Sequence, residues 1–199
     1  MIHQDVDIAL STKGIDQSYL LAEYIAHIPI DAIISSDHRR ARETADIIRK
    51  SINREVISMP IFREIKPPSE LLGLPLRGKE RDRIHELKVN HQDDPDWHYA
   101  DEENFFDGRS RAEEALRALE KIPFEHIVVV THSLFLFHIV SSILFPSGFT
   151  PAHFRQFKKN INISNTGITI CEYAGNEQRW KLLTWNDCQQ LDQYAIPQE

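Results

Sequence analysis

Cysteine is nearly missing from this 199-residue chain: Cys171 and Cys188 are the only two, far apart and in no metal-ligand spacing. That excludes a disulfide-built scaffold and favours a reduced thiol pair, with a single bridge between them left open. Long apolar runs are lacking too. The longest, Leu134 to Phe145, is too short to span a bilayer and is interrupted by His138, Ser141 and Ser142. The amino-terminal MIHQDVDIALS has neither the basic start nor the apolar centre of a signal peptide, so the expected location is the cytoplasm. Positive charge is in deficit, and a net charge of −7 argues against nucleic-acid or membrane-surface binding. Any positive potential must be local.

What is present suits one globular domain over 1–199, large enough to bury a core without staples, with no internal repeat or linker. The stretch that organises it is Ile127 to Ser133, IVVVTHS, which runs straight into the apolar SLFLFHIVSSILF. This reads as a buried strand followed by a buried helix, with His132 at the junction. In open α/β sheets ligands bind beyond the carboxyl ends of the strands, so a titratable group placed there is well situated for chemistry. A helix-capping histidine is the plainer alternative. A second stretch of the same design, Ala32 to Ser36 leading into DHRRARETADIIRK, tips the balance toward function.

Along the rest of the chain, Ser11 to Gly14 reads as a turn and Ile15 to His27 as a helix with Leu20, Leu21, Tyr24 and Ile25 inward. The helix after Ser36 turns Ala41, Ala45 and Ile48 inward, and Val56 to Met59 is a third short strand. Residues 62–108, rich in proline and charge, are too long for a plain connection and read as a cap or lid. His85, His91 and His98 within it fit no common metal motif, and no metal or cofactor is expected. Ser110 to Ile122 is an amphipathic helix, His153 to Asn160 a short basic one, and Gly167 to Tyr173 with Trp180 to Trp185 a β-hairpin.

Arg39, Arg40 and Arg42 crowd the start of a helix, the end whose dipole disfavours cations. An anion would relieve that conflict, because backbone donors and guanidinium forks together hold a phosphate or carboxylate. The solvated alternative pairs these arginines with Asp37, Glu43 and Asp46. It suits Arg39 and Arg42 better than Arg40.

In order and spacing, LSTKGIDQ at Leu10 to Gln17, SSDHRRARETA at Ser35 to Ala45 and VVVTHS at Val128 to Ser133 resemble the histidine phosphatase superfamily, the phosphoglycerate-mutase-like proteins. SNTGIT at Ser164 to Thr169 is similar to a segment lining those sites. The resemblance implies a three-layer α/β/α sandwich, with a mostly parallel central sheet and a carboxyl-terminal hairpin. It also implies phosphoryl transfer through a phosphohistidine. Arg40, His132 and Ser133 would contact the phosphoryl oxygens, His132 being the family's second histidine. Glu64 would protonate the leaving oxygen, with Glu70 as competitor. The ligand would be a small phosphorylated molecule or inorganic phosphate.

The family's first central strand ends in Arg-His-Gly, whose histidine is the nucleophile, and no Arg-His-Gly occurs in this sequence. That strand is therefore expected to be missing. His3 and His38 are the substitutes to consider, and neither is read as following a strand. Three readings follow: a phosphatase whose hydrolysis is weak in this chain, a non-catalytic protein that binds phosphorylated ligands, or an α/β domain of shared descent whose surface does something unrelated. The exposed strand edges would also suit pairing with a second copy as a homodimer.

Overall fold

The computed structural model describes residues 7–73, 75 and 78–192. His3 lies outside the described residues, as does the polar tail from 193. Helix α1 (Thr12–Ile25) comes first, and Ser11 Oγ accepts from the Gly14 N–H at 3.1 Å. This bond satisfies one of the donors that a helix start leaves open, so the expected turn is the cap and first turn of the helix itself. Its buried face is Gln17, Ser18, Ala22 and Ile25, with Leu21 and Tyr24 packed partly buried beside it.

Strand β1 (Ala32–Ser35), helix α2 (Arg39–Ile52) and strand β2 (Val56–Ser58) follow. Strand β1 lies between β2 and β3 (Ile127–Val130), parallel to both, in the order β2-β1-β3. Helices α3 (Lys79–Asn90) and α4 (Phe105–Leu119) precede β3. Helices α5 (Ser133–Leu144) and α6 (Pro151–Asn160) follow it, then strands β4 (Ile168–Ala174) and β5 (Arg179–Asp187) and a last turn, α7 (Gln189–Asp192). Strands β4 and β5 form an antiparallel hairpin of their own. Helix α4 starts five residues before the expected Ser110. Asn104 and Asp107 form a reciprocal capping box there, with the Asn104 side chain accepting from the Phe106 and Asp107 N–H groups.

The alternation of β1 explains the layering. Ile33 and Ile34, both fully buried, point to opposite faces of the sheet. Ile33 joins Ala22, Ile25, Ala45 and Ile48 from α1 and α2. On the other side Ile34 joins Phe62, Ala112, Ala115, Phe135 and Ile139, mostly from α4 and α5. The architecture is the expected three-layer α/β arrangement.

Strand β3 departs from expectation. It was read as buried, yet all four of its residues are only partly buried, whereas β1 is buried throughout. One uncovered face would expose alternate residues only, so exposure of four in succession marks an open edge. Among the described residues β3 has a ladder with β1 and β4 a ladder with β5, which leaves one edge of each unpaired. The β4–β5 hairpin lies against both cores, Ile168 on one and Trp180 on the other.

Helices α4 and α5 approach closely at Gly108. A Cβ there would sit 2.7 Å from Cε1 and Nε2 of His138 and 2.9 Å from Cδ1 of Ile65. The His138 ring has little room to retreat, being packed 4.1 Å from Phe154 and 5.7 Å from Phe105 by ring centroids. Gly108→Ala gains about 1 kcal/mol of helix propensity. Overpacking costs about 1–3 kcal/mol. The variant is expected to unfold at lower urea concentration than the parent, and an unchanged or higher midpoint would refute the close approach.

Candidate functional site

The β1–β3 register places Ser35 beside Val130, so the residues after each strand emerge at the same end of the sheet. The Ser36 N–H donates to the Val130 carbonyl at 2.9 Å, extending the ladder by one bond. Beyond it lie Asp37 and His38 from one strand and Thr131 and His132 from the other. Thr131 Oγ1 donates to the Phe62 carbonyl at 2.9 Å, which ties this end of β3 to the start of the 62–108 segment.

His132 is 6% exposed, and its Nε2 lies 2.8 Å from Ser36 Oγ, a side chain with no exposure at all. Burial pushes the His132 pKa down to about 3, and the neighbouring charges of Arg40, His38 and Arg111 act in the same direction against the weaker pull of Asp37. A neutral imidazole is therefore the resting form near pH 7. The same balance shows that His132 and Arg40, drawn from separate strand-to-helix junctions, share one electrostatic environment. Burial also lowers the pKa of Arg40, opposed by the carboxylates of Glu64 and Asp7.

His38 requires a correction. It was read as not following a strand, yet β1 ends at Ser35, and His38 is the residue on which α2 begins. Its ring centroid is 5.1 Å from that of His132. Its Nδ1 is buried and makes no hydrogen bond among the described residues. Burial first, and then Arg40, pull its pKa below the ordinary histidine value.

One anionic partner at the start of α2 comes from the chain itself. Asp7 Oδ1 accepts from the Arg39 N–H at 2.5 Å, and the Arg39 side chain pairs with Glu43 at 2.9 Å. Asp37, which the solvated alternative would pair with the α2 arginines, is bonded to Arg63. It holds Arg63 through both carboxylate oxygens, and this bond keeps the Asp37 carboxyl below its usual range.

Glu64 reaches the start of α5. Its Oε1 accepts from the Phe135 N–H at 2.9 Å and from its own neighbour Ile65 at 2.9 Å, and its Oε2 accepts from the Leu134 N–H at 3.2 Å. It thus supplies an N-cap that His132, at the cap position, does not. Ser133, the first residue of α5, is exposed beside it. Glu70 sits elsewhere, on the 3₁₀ turn Ser69–Leu71, where its side chain raises the pKa of Tyr99. Ser164 to Gly167 is tied to the end of β5 and to α7. The Ser164 N–H donates to Asn186 Oδ1 at 2.8 Å, and Gln190 Nε2 to the Thr166 carbonyl at 2.6 Å.

Arg111 on α4 went unnoticed in the sequence. Its guanidinium donates to the carbonyls of Ile61 and Arg63 at 2.9 and 2.8 Å, grips Glu103, and lies 4.0 Å from the centre of the Phe135 ring. Arg63, the residue before Glu64, is held this way, and Arg111 Nη2 also donates to the carbonyl of Glu64 itself at 3.4 Å. Among the cap histidines, His91 stacks on Trp97 and His98 bonds Asp107, and no group of three possible metal ligands occurs among the described residues. Nor, among those residues, is any helix long and apolar enough to cross a membrane.

The family model of the histidine phosphatase superfamily, branch 1, matches residues 1–188. The chain belongs to that superfamily. The uncharacterized phosphatase PhoE of Bacillus subtilis (strain 168) is 24% identical over 181 residues, covering 90% of this chain and 82% of that protein. Among solved structures, a mycobacterial glucosyl-3-phosphoglycerate phosphatase with inorganic phosphate is 22% identical, with a TM-score of 0.74, over 96% of this chain and 92% of that one. The same enzyme with VO3 gives a TM-score of 0.73 at 21% identity over 94% and 91% of the two chains. A phosphoserine phosphatase from Entamoeba histolytica, with 3-phosphoglyceric acid, gives 0.73 at 21% identity over 96% and 90%. For a superfamily member, phosphatase-like chemistry is the general expectation.

Proposed function

We propose that this chain binds the phosphoryl group of a small phosphomonoester, or inorganic phosphate, at the end of β1 and β3, and hydrolyses the ester only slowly. The observation that carries the proposal is that Arg40, in the first turn of α2 after β1, acts electrostatically on His132, the residue on which α5 begins after the adjacent β3. A phosphoryl group needs its charge met by fixed donors, and a guanidinium, an imidazole N–H and the Ser133 hydroxyl supply them without a metal. Residues 62–108, anchored through Thr131 and Arg111, are the proposed cap over this end. The phosphate and vanadate complexes of the mycobacterial relative support the ligand class.

Slow turnover follows from what the pocket offers. The sequence has no Arg-His-Gly, and His132 stands at the family's second histidine. Glu64, the proposed acid, accepts backbone N–H bonds on both oxygens, and its Oε2, with the single bond from Leu134, keeps a lone-pair site for a proton. The second reading is a binder of phosphorylated ligands without turnover, which the absence of Arg-His-Gly favours. Hydrolysis of p-nitrophenyl phosphate by the purified chain tests the choice. Slow release of nitrophenol that His132→Ala lowers about 100-fold supports hydrolysis, on the scale of losing one transition-state donor. Release unaffected by His132→Ala would refute the assignment, and no release with phosphate still bound would establish the binding protein.

A further inference from the structure

We propose that Ser36 is a positioning residue of the phosphoryl pocket: its hydroxyl fixes His132 as the Nδ1–H tautomer, so the ring can meet a phosphoryl oxygen only as a donor and is not itself phosphorylated. The inference rests on the phosphate-pocket reading above and adds which atom of His132 serves it.

Hydrogen-bond accounting around Ser36 leads to this assignment. Ser36 has no solvent exposure, so its hydroxyl proton must find an acceptor within the protein. Its Oγ has two partners among the described residues: the backbone N–H of His38 at 3.2 Å and Nε2 of His132 at 2.8 Å. The first is a donor and can only give its proton to Oγ. The second is therefore the one atom left to accept the hydroxyl proton, which requires that Nε2 carry none. Were Nε2 protonated instead, Oγ would receive two bonds and its own proton would be buried without a partner, a cost of the size that folded proteins avoid. The neighbouring Ser35 cannot relieve it, because its hydroxyl already donates to the Ser36 carbonyl at 2.7 Å.

With Nε2 occupied as an acceptor, the ring proton of neutral His132 resides on Nδ1. A ring in that state has no lone pair left to attack phosphorus, and it has a single N–H to offer an oxyanion. Ser36 touches neither the ligand nor the reacting atoms on this account. It acts through the tautomer of its neighbour.

Nitrogen-15 NMR of the histidine-labelled full chain reads the tautomer directly, with His132→Ala assigning the resonance. The expected parent spectrum shows His132 with a protonated Nδ1 and an unprotonated Nε2, and orthovanadate perturbs the Nδ1 signal. Ser36→Ala is expected to release the ring into a mixture of tautomers and to weaken vanadate binding about tenfold, the scale of one charge-assisted bond. Ser36→Thr, which keeps the hydroxyl, is expected to restore both to within about threefold. A parent His132 protonated on Nε2 while vanadate still binds would overturn this proposal alone, and so would an unchanged tautomer in Ser36→Ala. Failure of the parent to bind vanadate at all would overturn the pocket reading and this proposal with it. The parent spectrum decides the tautomer even if Ser36→Ala does not fold.

Discussion

Between pH 7.5 and pH 5.5 the protein is expected to lose about 3 kcal/mol of folding stability, because two buried histidines must stay neutral while their unfolded counterparts take up protons. His132 and His138 are 6% and 2% exposed, and burial brings each folded pKa down to about 3. The charges that act on His138 are Lys158, Arg111 and Arg109, all of which resist its protonation. An unfolded histidine titrates near 6.5, so the stability these groups contribute is whole above that pH and shrinks as pH falls from there toward the folded value. One pH unit below 6.5 removes about 1.4 kcal/mol per histidine. His38 adds in the same direction. His98 opposes it, since its bond to Asp107 raises its pKa, but that pair is open to solvent and weak. Carboxylates titrate mainly below this window. Urea midpoints at the two pH values test the expectation, and His138→Leu should roughly halve the difference. A parent midpoint equal at both pH values would contradict it.

Arg111→Ala is expected to cost about 3 kcal/mol or more, among the largest effects of any single truncation here. The side chain is 18% exposed and its partner Glu103 25%, so removing the cation leaves a mostly shielded carboxylate that keeps the Lys66 N–H bond but loses its guanidinium. It also strips donors from the Ile61 and Arg63 carbonyls and removes a cation from the Phe135 face. Lysine cannot substitute, because one ammonium cannot span the carboxylate and carbonyls that the planar fork reaches together. Arg111→Lys should recover little of the loss in equilibrium unfolding. A loss below about 1 kcal/mol for Arg111→Ala would mean that these bonds are readily replaced by water.

Much of the frame was legible because local patterns carry it. The β-branched run before His132 and the spacing of Ala41, Ala45 and Ile48 in α2 both report the period of their element, and all three α2 residues are buried. The start of α4 was legible in principle, since Asn104 and Asp107 have capping-box spacing, but the apolar period that begins later drew the boundary to Ser110. The proposed pocket was only half legible. His132 and Arg40 stand at recognisable junctions, whereas Ser36 meets His132 across 96 positions and Arg111 meets Ile61 across 50. Such pairs leave no periodic trace. The partly exposed β3 was hidden for a related reason: a strand's composition reports what its faces meet, and its edges are set by ladders made with distant segments.

The central claim is that Arg40 and His132 together hold a phosphoryl oxyanion, and titration of the purified chain with orthovanadate, by calorimetry at pH 7.5, tests it most directly. Arg40→Ala and His132→Ala are each expected to bind at least about tenfold more weakly than the parent, with heat-unfolding midpoints showing that both remain folded. Equal vanadate affinity in the parent and in both folded variants would contradict the account, since any anion site present would then lie elsewhere on the molecule.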